Sequence, residues 1–161
     1  MTVVKEYAGA NPQYLTMAKA FFGTHHPLFS AFKIDIDLIG NGHAVMRMPF
    51  SDALADRRGA LHRGALVTLL DTTCGLAIFS ALTSLKPIAT IDLRVDFLRL
   101  IPPAAELKAV VDCVGTTETV AYIIGRAFAG EDDQLIATVA GSFAIDTMGP
   151  AFGDVSQGKP R

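Results

Sequence analysis

The 161-residue chain has the length of one domain and is too short for two ordinary ones. Half of its residues are hydrophobic and 19% are charged, which excludes a disordered chain and predicts a large apolar surface to be covered by the core or by a second copy. A formal net charge of −2 without a long Lys/Arg block argues against nucleic-acid binding, where many phosphates must be neutralised together.

The sequence also predicts a cytoplasmic location. Cys74 and Cys113 lie within apolar runs and are too few for a disulfide framework or a metal site. The first residues, MTVVKEYAGANPQYL, lack the apolar region and cleavage site of a signal peptide. Residues 64–85 approach the length of a membrane span, but they contain Asp71 and several Thr and Ser, so we expect no membrane span.

The first half of the chain predicts a short helix, a hairpin and a long helix. In NPQYLTMAKAFF, Asn11 is a candidate N-cap and Pro12 a first helical residue. FKIDIDLIGNGHAVMRMPF reads as two strands around Gly40-Asn41-Gly42. Residues 51–62 form a polar connection, after which a helical run continues until shortly before Pro87.

The second half predicts four strands. In ATIDLRVDFLRL, alternate residues face opposite sides: Ile91, Leu93, Val95 and Phe97 one side, Asp92, Arg94 and Asp96 the other. Strand-like runs follow at about 107–114, 119–129 and 134–146, and the tail from Thr147 to residue 161 is expected to be loose. This order predicts a single α+β domain over residues 1–161, with an ordered core from about 11 to 146 and an antiparallel sheet around the central helix.

The central helix carries one carboxylate, Asp71, in an apolar segment, GALHRGALVTLLDTTCGLAIFSAL. Burying a carboxylate costs several kcal/mol unless a partner, a water or a proton compensates it, as order-of-magnitude transfer energies indicate. A hydrogen-bonded core carboxylate is one reading of Asp71, and a catalytic carboxylate is the other.

Two linked motifs resemble the hotdog-fold thioesterases, particularly the phenylacetyl-CoA thioesterase-like branch, over roughly residues 28–146. That branch typically has His-Gly-Gly at the start of the central helix and Asp nine residues after the His; here the residues are His62-Arg63-Gly64 and Asp71. The following strand, from Thr90 to Arg99, is also similar. The resemblance implies a cofactor-free acyl-CoA thioesterase with a hotdog fold of about six strands, working as a homodimer or a dimer of dimers.

The resemblance also implies roles for particular residues. Asp71 would activate water or attack the thioester directly, and Thr90 would hydrogen-bond that carboxylate or its water. The free N–H groups of Arg63 and Gly64 at the helix N-terminus are candidate oxyanion donors. Asp71 and Arg63 are about 12 Å apart along the helix axis, so a complete site would combine Asp71 of one subunit with the helix N-terminus of its partner.

This chain departs from the family pattern at two positions. Arg63 replaces the usual Gly after the His, which keeps the N–H but adds a long side chain. Asp56 stands six residues before the His, where those enzymes commonly have Asn or Gln, and a carboxylate cannot donate as an amide does.

The remaining polar residues have simpler interpretations. His62 is expected to shape the helix start through a hydrogen bond, because no nucleophile is paired with it. Arg57, Arg58 and Arg99 are candidates for binding the phosphates of coenzyme A, or else solvated charges. His25, His26 and His43 have no Cys or carboxylate at ligand spacing, so no metal site is expected. Cys74, one turn after Asp71, is expected to be a buried apolar filler.

Two other functions remain open. A hotdog protein that binds acyl thioesters without turnover, as a carrier, sensor or assembly module, is consistent with Arg63 and Asp56. An enoyl-thioester hydratase or dehydratase would need a paired His and carboxylate motif that the sequence does not offer.

Overall fold

Six antiparallel strands and one long helix make up most of the described chain. The structure, a computed structural model, describes residue 16 and residues 27–84 and 86–147. The elements are helix α1 (Pro27–Phe32), strands β1 (Asp35–Gly40) and β2 (His43–Met48), a 3-10 turn (Asp52–Leu54), helix α2 (Arg63–Ala81), and strands β3 (Ile88–Phe97), β4 (Leu107–Thr116), β5 (Val120–Ala129) and β6 (Gln134–Ile145). The helix predicted from Asn11 and the tail predicted beyond Thr147 lie outside the described residues.

The strands form one sheet in the order β1-β2-β4-β5-β6-β3, and each neighbouring pair is antiparallel. The long helix α2 follows β2 in the chain and packs mainly on β2 and β4, with further contacts to β5. The α+β class and the hotdog arrangement of one long helix against six strands are therefore confirmed. Strands β1 and β3 are the two edges of the sheet.

The predicted hairpin at the start of the sheet is also confirmed. Strands β1 and β2 pair on either side of Asn41 and Gly42, whose φ angles are 51° and 79°. Asn-Gly favours this turn because both central residues of a type I′ turn need positive φ. Helix α1 was not predicted, because its six residues are too few to show a helical period; Phe29 from α1 is buried in the core.

Helix α2 is buried on most of its circumference, as its apolar sequence predicts. Its buried residues are Ala65, Leu66, Leu69, Leu70, Thr73, Cys74, Leu76, Ala77 and Ile78. By length and composition alone α2 would pass as a membrane span, but more than half of that window is buried inside the fold, as in a core helix. Asp71, Thr72, Gly75 and Phe79 are only half-buried, and they mark a strip along α2 that the sheet covers incompletely.

Candidate functional site

The N-terminus of α2 is closed by the side chain of its own cap residue. His62 has extended backbone angles, φ −62° and ψ 143°, and its Nδ1 accepts a hydrogen bond from the Gly64 N–H at 3.0 Å. This hydrogen bond is the one expected of His62 at the helix start. It also occupies the Gly64 N–H, one of the two candidate oxyanion donors.

Arg63, the first residue of α2, keeps a free backbone donor. Among the described residues its N–H has no acceptor, as is usual for the first residue of a helix. Its exposed side chain turns to the sheet edge, where the guanidinium carbon lies 4.7 Å from the centre of the Phe97 ring. The long side chain that distinguishes this sequence therefore rests on the end of β3.

Asp71 is held by one hydroxyl group from the edge strand. The Thr90 hydroxyl donates to Asp71 Oδ1 at 2.9 Å, so the carboxylate on the exposed strip of α2 is tied to the start of β3. Asp71 is half-buried rather than enclosed in the core. One carboxylate oxygen has this protein partner, and the hydrogen bonds in the described part of the chain leave the other oxygen, Oδ2, open to a water or a substrate.

A β-bulge in β3 places Thr90 on the helix side. Strict alternation would put Thr90 on the same face as Asp92, away from α2. In the structure the register with β6 shifts between these two residues: Thr90 pairs with the buried Phe143 and Asp92 with Ser142. The prediction that Ile91 belongs to a regular alternation is wrong, because Ile91 is the extra residue of the bulge and is exposed.

Gly141 on β6 accommodates this bulge. A Cβ at Gly141 would lie 2.5 Å from the Asp92 carbonyl oxygen and 3.2 Å from a Leu93 methyl carbon. The two strands therefore approach more closely than any other residue would permit at this point. The position of Thr90 depends on Gly141, which is 51 residues further along the chain.

The loop before the helix is built on Asp56. Its Oδ1 accepts from the N–H groups of Arg58 (2.8 Å) and Ala60 (3.3 Å), and its Oδ2 accepts from the Arg58 guanidinium, with the shortest contact 2.6 Å. The Arg58 guanidinium is the main cause of a pKa of Asp56 below its ordinary value. Both carboxylate oxygens are thus used within the loop.

The three candidate phosphate-binding arginines differ in whether their guanidinium groups already have partners. Arg58 is engaged by Asp56. Arg99 donates from Nη1 to the Leu135 carbonyl at 2.8 Å, which holds it near the end of β3. Arg57 is exposed, and in the described residues no ion pair or hydrogen bond of its guanidinium is found. Of the three arginines, Arg57 is the most available to an anion.

Among the described residues, the other nucleophile and ligand candidates, Cys74 and His43, do not form a site; His25 and His26 lie outside the described residues. Burial, and then the nearby Asp71 charge, raise the pKa of the Cys74 thiol far above its ordinary value. His43 is buried and hydrogen-bonds Asp112 at 2.8 Å, a pairing across β2 and β4 that sequence spacing could not indicate. No group of three possible metal ligands occurs within residues 27–84 and 86–147.

The two halves of the predicted site lie at opposite ends of β3. Thr90, near the first residue of the strand, contacts Asp71, and Phe97, its last residue, contacts Arg63. Within one chain the free amide and the carboxylate are separated by two turns of α2. Phe97 was not predicted to be part of the site, because an aromatic residue at a strand end carries no signal of its own.

A sheet packed around one helix, with a lone carboxylate on the helix and a capped helix N-terminus, defines a hotdog-fold protein. The thioesterase superfamily model matches residues 58–136, which contain the helix cap, Asp71 and Thr90. A Halobacterium salinarum protein, named as a candidate esterase, is 37% identical over 107 residues, covering 61% of this chain and 68% of that protein. The chain therefore belongs to the thioesterase superfamily, a family of hydrolytic enzymes.

Solved structures share this architecture. A thioesterase family protein from Silicibacter pomeroyi is 26% identical, with a TM-score of 0.71 over 83% of this chain and 96% of that one. The E. coli PaaI protein, from the phenylacetic acid degradation operon, has a TM-score of 0.74 over 86% of this chain and 96% of its own. At 19% identity, the likeness to PaaI shows the fold alone.

Proposed function

We propose that this protein is a cytoplasmic, cofactor-free acyl-CoA thioesterase that uses Asp71 to cleave the thioester. The observation that carries this proposal is the placement of Asp71: a carboxylate on the partly uncovered strip of α2, oriented by Thr90 and with one oxygen available. A structural carboxylate in the core would have its hydrogen-bonding capacity satisfied and would not be left at the edge of the sheet.

The proposed reaction begins at the thioester carbonyl carbon. Asp71 removes a proton from a water molecule as the water oxygen attacks, and the carbonyl oxygen becomes an oxyanion that the Arg63 N–H stabilises. The intermediate then expels the coenzyme A thiolate, which takes up a proton, leaving a carboxylic acid and a thiol. In the alternative route, an Asp71 oxygen attacks first and water hydrolyses the resulting anhydride.

This chemistry requires a second copy of the chain. If β3 pairs antiparallel with the same strand of a partner so that Leu93 faces the partner's Val95, then Thr90 falls opposite the partner's Phe97, because the bulge residue Ile91 has no residue opposite it. Asp71 then lies beside the partner's Arg63, and two equivalent sites form across the dimer. Exposed apolar residues on and after β3 support such an interface; they are Ile91, Phe97, Leu98 and Leu100.

The coenzyme A moiety is proposed to meet the arginines around the helix start. Arg57 has the freest guanidinium, while Arg58 and Arg99 would bind phosphate by exchanging or sharing their present partners. We expect the KM for acyl-CoA to rise with salt, and to rise in Arg57→Ala without a change in kcat, because phosphate binding contributes equally before and during the reaction.

The role of Asp71 is tested by thiol release from a panel of acyl-CoA substrates. Asp71→Ala should abolish hydrolysis while the sedimentation coefficient stays that of the wild-type assembly. Asp96→Asn is the matched control, because Asp96 is an exposed carboxylate on the solvent side of the same strand β3 and should leave hydrolysis unchanged. Wild-type turnover by Asp71→Ala would refute the proposed mechanism.

The shared site is tested by mixing two inactive variants. Arg63→Pro deletes the proposed donor N–H at the first helical position, where Pro is best tolerated, and the extended backbone of His62 suits a residue before Pro. Arg63→Ala keeps the N–H and is its control. The Asp71→Ala and Arg63→Pro chains are unfolded, mixed in equal amounts and refolded together. About half of the dimers are then mixed, and each mixed dimer contains one intact site of two, so about a quarter of wild-type activity should return. No recovery in verified mixed dimers would show that each site lies within one chain.

The second candidate function is binding of acyl thioesters without turnover. Asp56, locked into its loop, cannot donate a hydrogen bond as an amide could, and this observation favours a binding role. Calorimetry that shows acyl-CoA binding, with no thiol released from any substrate over hours, would favour this function over hydrolysis.

A further inference from the structure

The side chain of Arg63 could block access to its own backbone N–H, which is the proposed oxyanion donor. Arg63 begins α2 beside the free amide, and its side chain is exposed and long enough to fold back over the helix N-terminus. In this chain the guanidinium instead lies 4.7 Å from the centre of the Phe97 ring.

We propose that Phe97 is a positioning residue that holds the Arg63 side chain against the end of β3 and so keeps the helix N-terminus accessible to the substrate carbonyl. This inference rests on the proposed thioesterase function. Phe97 touches neither the scissile bond nor the carboxylate; it acts on access through Arg63.

The contact has the geometry and surroundings that this role needs. A guanidinium within about 6 Å of a ring centre is attracted to the ring face. Phe97 is 38% exposed, so its ring is partly supported by the fold and yet offers a face to Arg63. Within its own chain Arg63 has no carboxylate partner among the described residues, and the Phe97 ring is the contact found there for its guanidinium.

Phe97→Leu removes the ring face and keeps an apolar side chain. An exposed cation–π contact changes a conformational equilibrium by about two- to fivefold, so kcat/KM should fall by at most about that factor, chiefly through a higher KM. Phe97→Tyr restores a ring and should behave as wild type. If Phe97→Tyr loses as much activity as Phe97→Leu, the ring face is not the cause and the proposal is wrong.

The decisive comparison is made in an Arg63→Ala background, which lacks the guanidinium that Phe97 is proposed to position. There, Phe97→Leu should cause no further change in KM, whereas a packing defect would lower activity equally in both backgrounds. Phe128→Leu is the matched control. The Phe128 ring on β5 also contacts a cation, since Lys108 Nζ on β4 lies 5.3 Å from the ring centre, but this pair lies away from α2. It should leave KM unchanged.

A second measurement does not depend on activity. The ring current of Phe97 should shift the Arg63 side-chain NMR signals, and this shift should vanish in Phe97→Leu and persist in Phe97→Tyr. A wild-type protein that shows the shift but hydrolyses no thioester would contradict the proposed function and leave the contact established. An active wild-type protein without the shift would overturn the positioning role alone.

Discussion

The Thr90 hydroxyl lies 2.9 Å from Asp71 Oδ1 and joins the middle of the central helix to the beginning of the edge strand. The two residues are nineteen positions apart in sequence and belong to elements that make few other contacts. This hydrogen bond sets the orientation of the proposed catalytic carboxylate.

Replacing Thr90 with Val should therefore impair catalysis more than folding. Val has nearly the same shape but no hydroxyl, and a hydrogen bond to a charged group contributes about 1.5–3 kcal/mol, so kcat/KM should fall about tenfold or more. Steady-state kinetics measure this loss. Thr90→Ser keeps the hydroxyl and should retain most of the activity; equal losses in Val and Ser variants would show that the hydrogen bond is not responsible.

His62→Ala should weaken the start of α2. Loss of the N-cap interaction with the Gly64 N–H should destabilise the protein by about 1 kcal/mol, which corresponds to a fall in Tm of about 2–4 °C. Thermal unfolding followed by circular dichroism measures this effect. His62→Asn, which can cap the same N–H, should recover most of the stability, and a wild-type Tm for His62→Ala would contradict the capping role.

Gly141→Ala should displace the edge strand. The new Cβ would meet the Asp92 carbonyl at 2.5 Å, so β3 must shift, at a cost of about 1–3 kcal/mol and with loss of the Thr90–Asp71 geometry. Urea unfolding and thiol release should both report the damage. Gly115→Ala is the control, because no atom lies within 4 Å of its added Cβ. Similar losses of stability and activity in both variants would indicate that displacement of the β3 bulge is not their cause.

The cysteines should alkylate in a fixed order. Burial raises the pKa of both thiols, more strongly for Cys74, which is fully buried and lies near the Asp71 charge. Because the thiolate is the reactive form, iodoacetamide at pH 8 should modify Cys113 slowly and Cys74 only after unfolding. Mass spectrometry of timed samples measures the order. Rapid labelling of Cys74 in the folded protein would contradict its assignment as a buried filler.

Local sequence patterns were sufficient for much of this structure. The Asn41-Gly42 turn, the apolar helix before Pro87 and the four later strands follow from turn chemistry and from periods of 3.6 and 2 residues. The resemblance to hotdog thioesterases, carried by His62, Asp71 and the strand from Thr90, is consistent with the family that the comparisons establish.

The sequence by itself determined most of the elements, because side-chain periodicity and turn preference act between near neighbours in the chain, and its resemblance to the hotdog thioesterases indicated the candidate site residues. Only the tertiary structure decided that the Thr90 hydroxyl donates to Asp71 and that the Arg63 guanidinium packs on the Phe97 ring. The first depends on a bulge accommodated by Gly141, and the second on a strand end that folding brings beside a helix start. Such contacts arise from packing between distant segments, which leaves no period in the sequence.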